Sequence, residues 1–158
     1  MFRILCIVLI AGSFDLSASA NDASTFYTAL ESKDSVVLNK ELSALEKSFI
    51  KQKDAYTGTL LMKKSDIVKR SLDKLSLFKK GKKLLEAAIK SDSLNAEYRF
   101  LRLTIQENCP DFLKYYSKKE EDAESVKNGF HSLQPEVQQA IRNYSKTSHV
   151  LKPEDFQK

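Results

Sequence analysis

Apolar residues recur along this chain at intervals of three and four, the spacing that gathers them on one side of an α-helix. Leu38, Leu42, Leu45 and Phe49 step by four, three and four, which predicts one buried helix face. Asp34 or Ser35 stands where a short polar side chain would accept an orphaned backbone N–H and cap that helix. Ahead of it, Phe26, Tyr27 and Leu30 predict a shorter helix. Lys51, Gln52 and Lys53 interrupt the stripe, and Asp54 would open a segment carrying Tyr56, Leu60, Leu61 and Ile67. Gly58 lies inside that segment, where glycine costs about 1 kcal/mol against alanine. The stretches on either side of Lys51 are two helices or one bent one.

The next helix opens at Ser71 or Asp73, turns Leu72, Leu75, Phe78, Leu85, Ala88 and Ile89 inward, and ends at Ser91-Asp92-Ser93. Asn95 would cap a helix from Ala96 to Glu107 whose Tyr98, Phe100, Leu101, Leu103 and Ile105 surround most of its circumference. A helix apolar nearly all round belongs at the centre of a core. Pro110 stops it, because the residue before a proline avoids helical geometry. Phe112, Leu113, Tyr115 and Tyr116 then pack a short turn. Ser117-Lys118-Lys119-Glu120 reads as a capping box at the start of a polar helix running to about Phe130. Its acids Glu120, Glu121, Asp122 and Glu124 read as solvated groups favoured by the helix dipole. Pro135 suits the first position of a last helix, with Val137, Ala140, Ile141 and Tyr144 as its buried stripe. After Val150 comes a loose tail, with Phe156 tucking back. The fold class predicted is all-α: a single-domain bundle of about six or seven helices, with stacked repeat-like hairpins as a variant.

Composition supports the helices and adds a compartment. Only four glycines and three prolines occur in 158 residues, and Lys, Leu, Glu, Ala and Ser dominate, a helix-forming mixture. At the N-terminus, Arg3, the uncharged apolar run Ile4–Ala11 and the small-residue site Ala18-Ser19-Ala20 have the form of a secretory signal. The expectation is a signal peptide over 1–20, cleavage before Asn21, and one helical domain over 21–158, periplasmic or secreted. The apolar run is far shorter than the roughly 20 residues a spanning helix needs, so the chain is expected not to span a membrane. Cys6 begins the run rather than ending it, which argues against lipid attachment. Cys109 is then the one cysteine left, so no internal disulfide can form. That absence favours a bacterial periplasm over a eukaryotic secreted setting.

Charge is unevenly placed. The chain carries a net +5. Residues 63–90 hold ten Lys/Arg against three acids, while the segments on either side are each slightly acidic. Lys79, Lys80, Lys82 and Lys83 cluster on one helix and are the candidate partner-binding residues. A solvated outer face accounts for such a run; so does a contact for an acidic envelope protein, an anionic surface or an acidic glycan. Export places it away from nucleic acid.

Two resemblances carry further expectations. Gly81, Leu85, Ala88 and Ser93, followed by Asn95-Ala96-Glu97-Tyr98, resemble the junction of a tetratricopeptide repeat over residues 81–106. That likeness implies close approach of two antiparallel helices at Gly81 and Ala88. Arg99, Arg102 and Leu103 depart from the repeat pattern, and a shift of about 34 residues finds no second copy. The run from Glu97 to Tyr115, with the tail Ser148-His149-Val150-Leu151-Lys152-Pro153-Glu154-Asp155-Phe156, is similar to stretches in uncharacterised small exported helical proteins of Gram-negative bacteria. It spans residues 54–156 and implies compartment and fold, with no activity attached.

No catalytic or metal pattern assembles. His131 and His149 lie eighteen residues apart without ligand-spaced partners, and Cys109 has no second cysteine nearby, so no metal and no cofactor are expected. Cys109 beside Pro110 and Phe112 reads as a packed apolar group rather than a nucleophile. The mature glycines Gly58, Gly81 and Gly129 are isolated and make no phosphate loop. The expectation is a non-catalytic protein mediating protein–protein interaction in the envelope through its lysine-rich face. The alternative is a carrier holding a small ligand in an aromatic pocket lined by Tyr98, Phe112, Tyr115 and Tyr116.

Overall fold

A computed structural model describes the backbone of residues 16–157 and the side chains from residue 23 onward. The expected signal therefore lies largely outside the described residues. The described residues form seven α-helices: α1 (Leu16–Glu31), α2 (Ser35–Lys47), α3 (Lys53–Ile67), α4 (Ser71–Ser91), α5 (Ala96–Asn108), α6 (Lys119–Gly129) and α7 (Pro135–Ser145). Short 3-10 turns follow at Asp111–Leu113, Phe130–Ser132 and Pro153–Phe156, and no strand occurs among the described residues. α1 crosses the expected cleavage position. A cut before Asn21 would shorten this helix yet leave the buried Ala23, Phe26, Tyr27 and Ala29 in place.

Local chemistry fixes most boundaries. Asp34 caps α2, its Oδ1 accepting the Val36 N–H at 2.7 Å. Asn95 caps α5, accepting the Tyr98 N–H at 3.1 Å. Pro135 opens α7, where its missing N–H costs nothing. The expected capping box at Ser117 does not form: α6 starts at Lys119, and Lys118 makes no side-chain cap. Three acids in the first turn complement the helix dipole there instead.

The stretches flanking Lys51 are two helices. The Ser48 N–H and hydroxyl both donate to Leu45 O, and the Lys53 ammonium donates to Glu46 O and Ser48 O, closing the turn. Phe49 therefore lies past the end of α2 and is 100% exposed, contrary to the stripe that included it. Leu72 was likewise expected inside but is 75% exposed. It stands nine residues before Gly81, two and a half turns, which puts it on the opposite side of the helix. Leu75, on the flank, is also exposed.

Gly58 does not break α3. It and Gly81 of α4 face each other where the two helices cross. A Cβ on Gly58 would stand 2.7 Å from Gly81 O and 2.8 Å from Leu85 N; one on Gly81 would strike Gly58 O and Met62. Gly81 thus serves close approach as expected, but to α3, not to α5 as the repeat-like hairpin implied.

The core is one cluster drawn from all seven helices. Phe26 stacks on Tyr56 with ring centroids 3.7 Å apart and planes 7° from parallel. α5 runs through the middle and is buried on nearly every side, including its polar residues Glu97, Arg102 and Gln106. The C-terminal segment is docked rather than loose: Leu151 and Phe156 are buried, the latter with its ring 4.7 Å from Phe130.

Candidate functional site: a basic helix face and a cleft at one end of the bundle

α4 buries Phe78, Gly81, Leu85, Ala88 and Ile89. Leu72, Ser76, Lys79, Lys83, Ala87 and Lys90 follow at steps of four, three, four, four and three along its other side, and all are exposed. Over eighteen residues this row is about 27 Å long. Lys80 borders it, also exposed. Lys82 turns away: it is half-buried, its ammonium 4.5 Å from the centre of the Tyr115 ring. The four candidate lysines therefore divide, with Lys79, Lys80 and Lys83 outward and Lys82 packed inward. Among the described residues, Lys51, Arg70, Arg99, Arg102, Lys118 and Lys127 form ion pairs, while these three outward lysines form none.

The four aromatics expected to line a pocket do not meet in one. Tyr98 is buried with its hydroxyl donating to Lys51 O at 3.3 Å. Tyr115 is buried edge-on against Phe78, with centroids 5.8 Å apart, and donates to Glu86 Oε1 at 2.5 Å. Burial, reinforced by Glu86, pushes the Tyr115 phenol up and keeps it a donor. Phe112 is 79% exposed, and Tyr116 is also exposed. The residues after α5 alternate between core and solvent, so sequence clustering does not become a pocket.

The buried polar groups serve structure. Asp122, expected to be solvated, is 0% exposed. It accepts from Arg102 through both oxygens, at 2.7 Å each, and from Arg99 at 3.1 Å. Arg102 also donates to Glu86 at 3.0 Å, and Arg99 to Glu121 at 2.8 Å, so one network ties α4, α5 and α6 together. Burial opposes the Arg102 charge, but hydrogen bonds to Asp122 and the charges of Asp122 and Glu86 hold it on. A signal for this network lies in the sequence. Arg99 and Arg102 sit three apart on a helix whose Tyr98, Phe100, Leu101, Leu103 and Ile105 surround most of its circumference, and a buried cation there requires an acid.

On another side of α5, Tyr27 and Tyr56 donate to Glu97 Oε1 at 3.1 and 2.5 Å. Burial pushes the Glu97 carboxyl up, and the two donors pull it down by less. Burial also pushes the Cys109 thiol up, which keeps it protonated. His131 and His149 are exposed. No group of three His, Cys, Asp or Glu is placed to hold a metal ion, and no helix is long and apolar enough to cross a membrane, among the described residues.

The bundle does contain a cleft, made by other residues. It has a volume of about 390 Å³, with Leu30, Met62, Phe78, Phe100 and Ile105 among its apolar walls. Glu31, Lys63, Asp66, Asn108 and Tyr144 stand among them as its polar lining. A neighbouring cleft shares Tyr27, Glu31 and Ala140 with it and includes Glu136. No protein-family model matches this chain, and no curated protein and no solved structure matches it either.

Proposed function

We propose that this chain is an exported, non-catalytic helical protein of the cell envelope that binds an acidic partner protein through the outward face of α4. The observation that carries the reading is the row Lys79, Lys83 and Lys90, flanked by Lys80: exposed cations on one helix side, with Lys79, Lys80 and Lys83 outside every ion pair formed among the described residues. Arg99 and Arg102 are used within the fold, whereas these three lysines stand together on one helix side and remain available to a second surface. The signal-like pattern Arg3, Ile4–Ala11 and Ala18-Ser19-Ala20 supports export, as does the resemblance to exported helical proteins. The non-catalytic reading rests on buried acids, tyrosines and arginines that are engaged with one another.

Affinity capture of the processed protein from intact cells tests this, with a Lys79→Gln, Lys80→Gln, Lys83→Gln variant alongside. An acidic protein that crosslinks to α4, is lost from the variant and dissociates as salt is raised supports the reading. The Debye length falls from about 10 Å at 0.1 M to about 3 Å at 1 M, so charge-led binding weakens over that range. A partner retained by the variant or indifferent to salt refutes it, as does binding only to anionic vesicles or acidic glycans.

A further inference from the structure

A cleft that collects helix C-termini differs in chemistry from the basic face. α1 ends at Glu31, α3 at Ile67, α5 at Asn108 and α7 at Ser145. Glu31, Asp66, Asn108 and Tyr144, each in the last turn of its helix, all line the same 390 Å³ space. Each helix C-terminus carries about half a negative charge on carbonyls without intrahelical partners. Among the side chains that line the cleft, Glu31 and Asp66 stand against the single cation Lys63, and Lys74 outside the lining also acts on Asp66. In the adjoining cleft, the Glu136 Oε2 is buried without a hydrogen-bond partner. A donor cation satisfies an acceptor of this kind.

The apolar walls set the rest of the ligand. At about 30 Å³ for each water-sized unit, the cleft has room for roughly a dozen non-hydrogen atoms. Phe78, Phe100, Tyr27 and Tyr144 offer ring faces and edges beside Leu30, Met62 and Ile105, and aromatic faces attract organic cations.

We propose that this cleft is a binding site for a small organic cation, an amine with an apolar body lying against Met62, Phe100 and Ile105 and its ammonium near Glu31 and Asp66. The site is separate from the α4 face and stands whether or not that face binds a partner.

A matched ligand series tests it. 4-Phenylbutylamine, 4-phenylbutanol and 4-phenylbutyrate share one apolar body and differ in charge. Titration into the processed protein, followed by amide shifts in NMR, reads affinity and location together. The amine is expected to bind at least tenfold more tightly than the alcohol and the carboxylate most weakly, with shifts concentrated at α1, α3, α5 and α7 C-terminal turns. Glu31→Gln with Asp66→Asn should cut the amine's advantage over the alcohol at least threefold while leaving the alcohol unchanged, the helix C-termini and ring faces supplying what remains; both acids are exposed, so the fold is kept. Lys63→Met should strengthen amine binding. Equal binding of amine and alcohol by the unmodified protein, no binding of any member at millimolar concentration, or an amine preference undiminished in the double variant would overturn the proposal. The Lys79, Lys80 and Lys83 variant should leave amine binding unchanged, so failure of the α4 reading does not resemble failure here.

Discussion

Gly58→Ala sets two opposing effects against each other at one atom. Alanine in a helix interior is favoured over glycine by about 1 kcal/mol, so at an exposed site the change would stabilise. Here the new Cβ meets backbone, 2.7 Å from Gly81 O and 2.8 Å from Leu85 N. Neither atom is the end of a flexible side chain. Ordinary contact begins near 3.4 Å, so α3 and α4 must part by about 0.7 Å. A radial gap of 0.5–1 Å forfeits roughly a quarter to a half of each contact's dispersion energy, and overpacking of a tight site costs about 1–3 kcal/mol or more. With the opposing surface rigid, the upper end applies, and the net loss is about 2 kcal/mol after the propensity gain. Urea unfolding followed by far-ultraviolet circular dichroism measures it. At about 1–3 kcal/mol/M, the midpoint should fall by about 1 M. Lys80→Ala on the exposed side of α4 is the control and should stay within about 0.5 kcal/mol. Gly81→Ala should act like Gly58→Ala, and the double change should cost less than the sum, because the helices have already moved apart for the first methyl. A Gly58→Ala protein as stable as the parent, or strictly additive costs, would refute the account.

Other outcomes follow from the buried polar groups and the termini. Asp122→Ala leaves Arg102 buried without its bidentate acceptor and should cost about 3–5 kcal/mol, while Glu121→Gln at an exposed pair should stay within about 1 kcal/mol; similar midpoints for the two would defeat the network's assigned role. Glu97 titrates near 4.5 when unfolded and higher when folded. The folded state therefore binds more protons between the two values, and stability falls as pH rises through that window. Glu97→Gln keeps an Oε1 to accept both tyrosine hydroxyls, so it should gain on the parent as pH rises above 4.5; parallel curves would contradict this. N-terminal sequencing of the exported protein should begin at Asn21, and a retained Met1 in the final compartment would remove the export reading.

Helix existence was legible because burial and periodicity agree: the α5 boundaries follow from Asn95 and Pro110, and α7 opens at Pro135. Spacing alone misled where a helix ended inside a stripe, as at Phe49, or where a residue on the wrong side was counted inward, as at Leu72. Asp122 illustrates a different failure. Its neighbours Glu120, Glu121 and Glu124 are exposed, and local composition could not separate it from them. The discriminating fact lay twenty residues away, in two arginines on a helix that is buried on most sides. The basic candidates were legible as a cluster, but their division is geometric: Lys82 sits over Tyr115, which the sequence placed in a pocket with Phe112. The cleft was not legible, because its lining comes from five helices and no pair of its residues makes a motif.

The two candidate sites follow from one topological fact. The odd-numbered helices bring their C-terminal turns to one cleft, so negative partial charge accumulates there without any cluster of acids in the sequence. α4 runs the other way beside α3 and carries the lysines on the side that neither α3 nor the core covers. A chain with a net +5 thereby carries the proposed cation site and the proposed contact for an acidic partner on one bundle. The element between them is the Gly58–Gly81 crossing, which lets α4 lie against α3 with no side chain between. Because that contact is backbone to backbone, it has little room to slide, and binding at the ridge should not be felt in the cleft. Measurable coupling between partner and amine would require a second arrangement of α3 against α4, and Gly58→Ala, which forces them apart, is the change that would reveal it.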